Sequence, residues 1–520
     1  MKVLLVYPVF PETYWSFRHA LAFVGKKAAF PPLGLLTVSA MLPEPWERRF
    51  VDMNVEPLSR SEIEWADMVF LSAMIVQKES LDQVIKLCKE LGKPVAVGGP
   101  YVSTSSDLVP DADYVFVGEA ETTLPVFIAD LENGSPRRLY QAVERPSLLS
   151  TPIPDFHLID LKKYSSMNVQ FSRGCPFSCE FCDIIEIYGR VPRTKSAGQM
   201  LAEMDALRSA GWRGTVFIVD DNFIGNKREV RKFLPELIKW SEDKKFPFSF
   251  LTEASVNLAE DESLLAMMRA AHFHRVFLGI ETPAPESLKE ANKTQNTKRD
   301  LLGSVRKIQS YGIEVMAGFI VGFDNDPEDI FERQIEFIRE SAIPLAMVGL
   351  LAALPDTALW HRLEREGRLI YASSGNNTDC TLNFVPVMNR WRLVNGYRAL
   401  LQKLYSSPEF YRRSLDSLAY VTRSSGDLRR GKIFGILSSL FKILFTLGIY
   451  DRERFQFWKY LFVVAWSYPR SVGDGIALAA MGYHFRMVTE IQCASGGSTE
   501  MKDEAANSMC ETSFAEQRAN

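Results

Sequence analysis

The sequence predicts an α/β protein in three parts: a doubly wound α/β sheet over residues 1–140, a second run of β/α units over 164–365, and an α-helical region over 366–493. Three observations carry this. Short apolar runs of strand length alternate with amphipathic helical patterns, first from Val3 to Val117 and again from Met167 to Leu351, as in parallel sheets joined by crossover helices. Past Tyr371 the strand signal stops and helical periodicity takes over. Between the two β/α runs, residues 141–163 hold three prolines and little periodicity and read as a linker.

At 520 residues, with 47% hydrophobic and 24% charged side chains, the chain has ample material for several buried cores. A net charge of −4 gives no general case for a nucleic-acid partner. The seven cysteines are too few and too scattered for a disulfide scaffold. The absence of a complete Gly-x-x-x-x-Gly-Lys-Ser/Thr loop argues against nucleotide hydrolysis. Met1 to Pro8 reads as a strand running into a loop, without the small-residue cleavage site of a signal peptide. The expected location is cytoplasmic.

In the first part, strands are expected at Val3–Tyr7, Arg49–Asp52, Met68–Ser72, Pro94–Val97 and Tyr114–Val117, with helices at Leu33–Leu42 and Ser80–Leu91. Rossmann-like sheets of this kind bind ligands at the carboxyl ends of their strands. The candidate positions are therefore Tyr7-Pro8-Val9, Asp52-Met53-Asn54, Ser72-Ala73-Met74, Gly98-Gly99-Pro100 and Gly118-Glu119. Glycine at a strand end lets the backbone approach a bulky ligand closely.

The second part opens with Cys175-Pro-Phe-Ser-Cys179-Glu-Phe-Cys182, just behind the strand Met167–Phe171. Three thiolates on one tight loop can converge on one centre. Iron–sulfur clusters are held by cysteine thiolates, normally four for a cubane, so three leave an iron open to another ligand. The alternatives are three incidental cysteines or a zinc loop with a distant fourth ligand. Further strands are expected at Thr215–Asp220, Phe248–Glu253, Arg275–Ile280, Glu314–Val321 and Leu345–Leu351. Their ends carry Asp221, Asn222, Glu253, Glu281 and the glycine-rich Gly318-Phe319-Ile320-Val321-Gly322. Each carboxylate also has a structural reading as a helix cap or loop ion pair. Thr357 or Asp356 is expected to cap the helix that follows the last strand. His272, His274 and His361 are expected to pack or face solvent.

Cys-x3-Cys-x2-Cys with Phe181 before the last cysteine resembles the signature of the radical S-adenosylmethionine (SAM) enzymes. In that family a [4Fe-4S] cluster chelates the amino and carboxylate groups of SAM at its open iron. One electron then gives a 5′-deoxyadenosyl radical that takes hydrogen from unactivated carbon. The resemblance implies a partial (β/α)6 barrel of TIM type for 164–365. It makes Cys175, Cys179 and Cys182 the cluster ligands, packs Phe181 against adenine, and makes Asp221, Asn222, Glu253, Glu281 and Gly318 contacts to SAM or substrate.

Residues 1–140 resemble the cobalamin-binding domain that precedes many such barrels, with Asp52, Asn54, Ser72, Gly98, Gly99, Gly118 and Glu119 as the cofactor-facing positions. One departure stands out. Where that domain usually carries Asp-x-His-x-x-Gly, this chain reads Asp52-Met53-Asn54-Val55-Glu56-Pro57. Asparagine is a poor cobalt ligand, so either cobalamin binds with no protein ligand below or the domain has lost it.

Cys182 to Arg190 and Val219 to Asn226 are similar to a radical SAM subgroup that includes the hopanoid methylases. That resemblance implies methylation of unactivated carbon in an apolar substrate, a hopanoid or another polyprenoid-like lipid, with flavodoxin or ferredoxin as electron donor. A ring-closing or rearranging radical SAM enzyme without a cobalamin methyl donor is the alternative. A non-catalytic iron–sulfur protein at a membrane is a third.

In the tail, Ile433 to Tyr450 has Lys442 as its one charge, and Phe455 to Trp466 is a second apolar stretch. A membrane span needs about 20 apolar residues, and Lys442 near the middle argues against one. From Arg423 to Arg470 there are nine Lys/Arg against three Asp/Glu. This pattern fits either peripheral seating of 423–490 on the inner face of a membrane or a helical cap over the barrel mouth. Residues 494–520 are small, polar and unpatterned and are expected to be disordered.

Overall fold

The structure is a computed structural model that describes residues 1–105, 109, 111–421 and 433–493. The expectation for 494–520, and the part of the basic segment at 423–432, lie outside the described residues.

Six parallel strands make the first sheet: β1 (Lys2–Tyr7), β2 (Glu47–Asp52), β3 (Met68–Ser72), β4 (Val95–Gly98), β5 (Tyr114–Val117) and β6 (Leu139–Gln141), in the order β2-β1-β3-β4-β5-β6. Alternation along β1 shows why the sheet is covered on both faces. Leu4 and Val6 belong to one buried core, and Val3 and Leu5 to another. A strand buried on both sides reads as a continuous apolar run, as this one does. The strand order reverses at β1, which places the ligand crevice between the carboxyl ends of β1 and β3. β6 is three residues long and carries no sequence signal of its own.

The second sheet is also parallel and runs in nearly sequential order. It contains β7 (Ser166–Val169), then, past the short antiparallel pair β8 (Ser172–Arg173) and β9 (Arg193–Thr194), β10 (Thr215–Ile218), β11 (Ser249–Ala254), β12 (Phe273–Glu281), β13 (Glu314–Val321) and β14 (Ala346–Leu350). This is the six-unit partial barrel. The β8–β9 pair, unforeseen in the sequence, clamps the base of the cysteine loop. Several crossover helices start on caps readable in the sequence. The Ser196 side chain accepts from the Gln199 backbone N–H while Gln199 bonds back, and Asp261, Asp300 and Thr357 cap the helices that follow them.

Residues 141–163 are packed rather than free. They form three short 3-10 turns, Leu148 and Phe156 are buried, and the Asp155 carboxylate accepts from Ser39 Oγ at 2.6 Å. Helices Arg390–Leu404, Ser407–Tyr420, Ile433–Phe445, Arg454–Ser467 and 472–493 complete the chain. They cover one flank of the barrel. Tyr397 donates to the Val348 carbonyl of β14 at 2.9 Å, and fully buried Arg413 donates to the Ile343 and Leu404 carbonyls at 3.1 and 2.9 Å. Tyr14 and Phe17 of the N-terminal segment join the same core, Tyr14 stacking on Phe485 at 4.8 Å. No helix among the described residues is long and apolar enough to cross a membrane.

Candidate active site between the two sheets

The carboxyl ends of both sheets open on one cavity of about 1690 Å³. A single small-molecule site usually takes roughly 300–1,000 Å³, so this space admits more than one large ligand.

The ends of β3, β4 and β5 bring small residues to its N-terminal side. Ser72, Gly98, Gly99 and Gly118 all line it. Gly99 has φ +98°, and a Cβ there would meet Ser72 Oγ at 2.5 Å, so only glycine fits where the β3 and β4 loops meet. These small residues leave room at the strand ends for a large ligand.

Asp52 and Asn54 do different work from a metal ligand. Asn54 Nδ2 donates to the Pro8 carbonyl and to Asp52 Oδ1, and its Oδ1 accepts from the Phe10 backbone N–H. Asp52 Oδ2 accepts from Tyr164 O–H at 3.0 Å. Asn54 lines the cavity, but its amide is committed to fastening the loops after β1 and β2. Glu119 is likewise an ion-pair partner. Its carboxylate takes Arg173 at 2.7 Å and Arg193 at 2.7 Å, while Glu121 takes Arg173 at 2.9 Å. This network, which the sequence reading missed, joins the end of β5 to the residue pair just ahead of Cys175.

The barrel side carries charge. Cys175, Cys179 and Cys182 are free thiols on one loop. Burial pushes the Cys175 and Cys182 thiols above their ordinary range, so metal binding here must displace protons. Gln295 Nε2 lies 3.6 Å from Cys179 Sγ, and Asn222 Nδ2 lies 4.0 Å from Cys175 Sγ. Among the described residues no three His, Cys, Asp or Glu side chains form a site for a single metal ion. Thiolates spread along one loop suit a polynuclear cluster.

Asp220 anchors the cysteine loop by accepting from the Phe171 N–H and Ser172 Oγ at 2.7 and 2.6 Å. Asp221, Glu253, Glu281, Phe181 and Gly318 line the cavity. Asn222 instead binds Ser255 with both its amide atoms. Burial pushes Asp221 up to about 7, with Asp220 adding to it, and burial pushes Glu253 up to about 8, helped by Asp221 and Glu281. Both can hold a proton at neutral pH and donate as well as accept.

Glu281 sits at a register shift between β12 and β13 with φ +65°. A non-glycine residue there costs about 1–3 kcal/mol and is held by its surroundings. Asn296 Nδ2 donates to the Gly279 and Ile280 carbonyls at 3.0 and 2.9 Å, and Lys293 Nζ meets Glu281 Oε1 at 2.5 Å. Any side chain at 279 would collide with this pair, since a Cβ would lie 2.4 Å from Glu281 Oε1. Burial works against the Lys293 charge, but Glu281 and the nearby Cys179 override it and hold the ammonium charged. Lys293, also 5.9 Å from the Phe181 ring, was not foreseen. A lysine twelve residues past Glu281 carries no local signal.

The residues fit the cofactors the resemblance implies. Three thiols with no fourth in the loop suit a cluster with an open iron. The raised carboxyls beside them, able to donate as well as accept, suit a polar small molecule, and the glycine cradle suits a corrin.

Residues 169–338 match the Radical SAM superfamily, 27–128 the B12 binding domain, and 357–496 a domain of unknown function, DUF4070. The chain is 44% identical to an uncharacterized methyltransferase of Synechocystis sp., over 94% of this chain and 92% of that one. It is 37% identical to the hopanoid C-2 methylase of Rhodopseudomonas palustris, over 88% of each. Its fold is similar to that of the cobalamin-dependent S-adenosylmethionine radical enzyme OxsB solved with aqua-cobalamin and S-adenosylmethionine bound. That match has a TM-score of 0.59 and 16% identity, and it covers 96% of this chain and 81% of that one.

Proposed function

The chain belongs to the cobalamin-dependent radical SAM methyltransferases, and on that premise we propose that it methylates an unactivated carbon of an apolar, hopanoid-like or other polyprenoid lipid. Its cofactors are a [4Fe-4S] cluster, SAM and cobalamin. Together they supply a hydrogen-abstracting radical and a methyl group, and the protein supplies placement and exclusion of water.

Cys175, Cys179 and Cys182 would hold the cluster. Glu253, with its proton held at neutral pH, offers the ligand both a donor and an acceptor. The Glu281–Lys293 pair fixes the end of β12 beside them. Gly98, Gly99 and Gly118 would receive cobalamin, with no lower ligand from Asn54, whose amide is already spent. Asp52, Ser72 and Glu119 shape and brace that cradle, and Asn222 braces the loop behind Cys175.

The observation that carries the substrate class is the wall next to Glu281. Phe277 and Gly318 stand on adjoining strands, and Trp15 reaches over from the N-terminal segment to put its ring 5.0 Å from Phe277. Gly318 makes room for the Phe277 ring, which a Cβ there would touch at 3.1 Å. This aromatic corner, its two rings tilted 51° to each other, favours an apolar ring system over a polar peptide or nucleotide. A membrane-derived substrate would be met at the inner membrane surface, with flavodoxin or ferredoxin as the electron source.

The test is anaerobic reconstitution with iron, sulfide and cobalamin, followed by incubation with methyl-deuterated SAM, a reductant and polycyclic triterpenoids. Label in the triterpenoid fraction is the expected result. Label on cobalamin and 5′-deoxyadenosine formation without any labelled lipid would overturn the substrate class.

A further inference from the structure

The helix Arg454–Ser467 is apolar on both sides. Phe457, Tyr460 and Val464 face inward and are buried in the core of the helical tail. Phe455, Trp458, Phe462 and Trp466, spaced three, four and four residues apart, share the opposite face. Phe455 is 74% exposed, Phe462 69% and Trp466 80%, while Trp458 is half-exposed and donates to the Gly448 carbonyl at 2.9 Å. The preceding helix and its π turn extend the patch with Phe441, Phe445, Ile449 and Tyr450, all exposed, Phe445 lying 4.8 Å from the Tyr450 ring. A helix apolar all round is normally buried in a large core or in a membrane, and apolar patches of this extent mark binding surfaces.

Charge decides the occupant. The exposed cations Lys442, Arg454, Lys459 and Arg470 flank the patch. The nearby Asp451 is turned away into an ion pair with Arg486. Aromatic side chains rimmed by lysine and arginine suit the interface of an anionic bilayer.

The patch is also joined to the cavity. Helix Arg18–Val24 lends Phe23 to the same tail core, while its Arg18 and Ala22 line the cavity. One element thus packs against the inner side of the helices that carry this face and lines the cavity with its own residues.

We infer that the aromatic face of Arg454–Ser467, with Phe441 to Tyr450, is the surface on which the enzyme sits on an anionic lipid bilayer, placing the mouth at Arg18–Val24 next to lipid. This deepens the reading of a lipid substrate and rests on it for its purpose, though not for its measurement.

The full-length protein would be floated with vesicles of phosphatidylcholine alone and with phosphatidylglycerol added. The expected result is co-flotation with the anionic vesicles, reversed by high salt, with Trp fluorescence quenched by brominated lipid. The triple variant F455S/F462S/W466S, whose changes are all on exposed positions, should lower the bound fraction about tenfold with unchanged circular dichroism. It should methylate detergent-solubilised substrate as the wild type does and vesicle-borne substrate poorly.

A wild-type protein that fails to float, or a concentration-dependent dimer by light scattering that the triple variant abolishes, would overturn the proposal and assign the face to a second copy. Loss of vesicle binding by truncation at residue 494, with the triple variant unaffected, would overturn it in favour of the C-terminal segment. Flotation without lipid methylation would keep the membrane face and sink the substrate class instead.

Discussion

The two parallel sheets meet the same cavity with opposite materials. The first offers glycines at the ends of β4 and β5, with the two carboxylates there, Glu119 and Glu121, already bound by arginines. The barrel offers thiols, raised carboxyls and a buried lysine paired with Glu281. One half works by shape and the other by charge. A large, nearly neutral face can be received by making room for it. A cluster and a cationic small molecule need fixed charges held out of water, which is costly unless each is partnered.

The contrast can be broken at its strongest point first. Replacing any one of Cys175, Cys179 or Cys182 with alanine is expected to remove the cluster and all radical chemistry. Bound iron and the visible charge-transfer absorbance check this, and cobalt content should stay near the wild-type value. Lys293→Met comes next. It leaves Glu281 buried without its partner, which costs about 3–5 kcal/mol, read as a lower chemical-denaturation midpoint together with poor cluster loading.

On the other side, Gly99→Val should do the reverse of the cysteine variants. The added atoms collide with Ser72 and force φ +98° on a β-branched residue, so cobalt should fall away while iron remains. Loss of both metals together would show that the two halves are not separable.

Much of this division was legible in the residues. Strand-length apolar runs placed all six barrel strands to within about two residues of their observed ends, because a strand buried on both faces leaves little freedom in composition. The cysteine loop announced itself by spacing. What stayed hidden depends on partners far away in sequence. Asn54 and Glu119 have the right address for ligand contacts, yet the first is consumed by Pro8 and Phe10 and the second by Arg173 and Arg193. Only the folded approach of these segments decides that. The segment from Val9 to Lys27, which has little periodicity, proved to line the cavity and to carry Trp15.

Two smaller effects sharpen the comparison. The folded-state value of Glu253, about 8, lies above its ordinary 4.5, so the folded protein holds this proton more tightly than the unfolded chain. That stability is fully present below about pH 4.5 and lost as pH rises through about 8. In cofactor-free protein, Glu253→Gln should therefore raise stability at pH 8 by on the order of 2 kcal/mol and flatten the decline from pH 5 to 8 while impairing turnover. Asn54→Ala is the mildest. It should cost about 1–2 kcal/mol and leave the electron paramagnetic resonance spectrum of bound cob(II)alamin unchanged. Any change in nitrogen coupling there would make Asn54 a ligand after all.

The Glu121–Arg173–Glu119–Arg193 network has a consequence for how the molecule is made. Synthesis runs from the amino end and domains tend to fold as they emerge, so Glu119 and Glu121 are in place before Arg173 leaves the ribosome. The earlier domain then offers the later loop two carboxylates against which Arg173 and Arg193 can be set. A barrel expressed without its first 140 residues would have to find that loop geometry alone, with two arginines left searching for acids that were never translated.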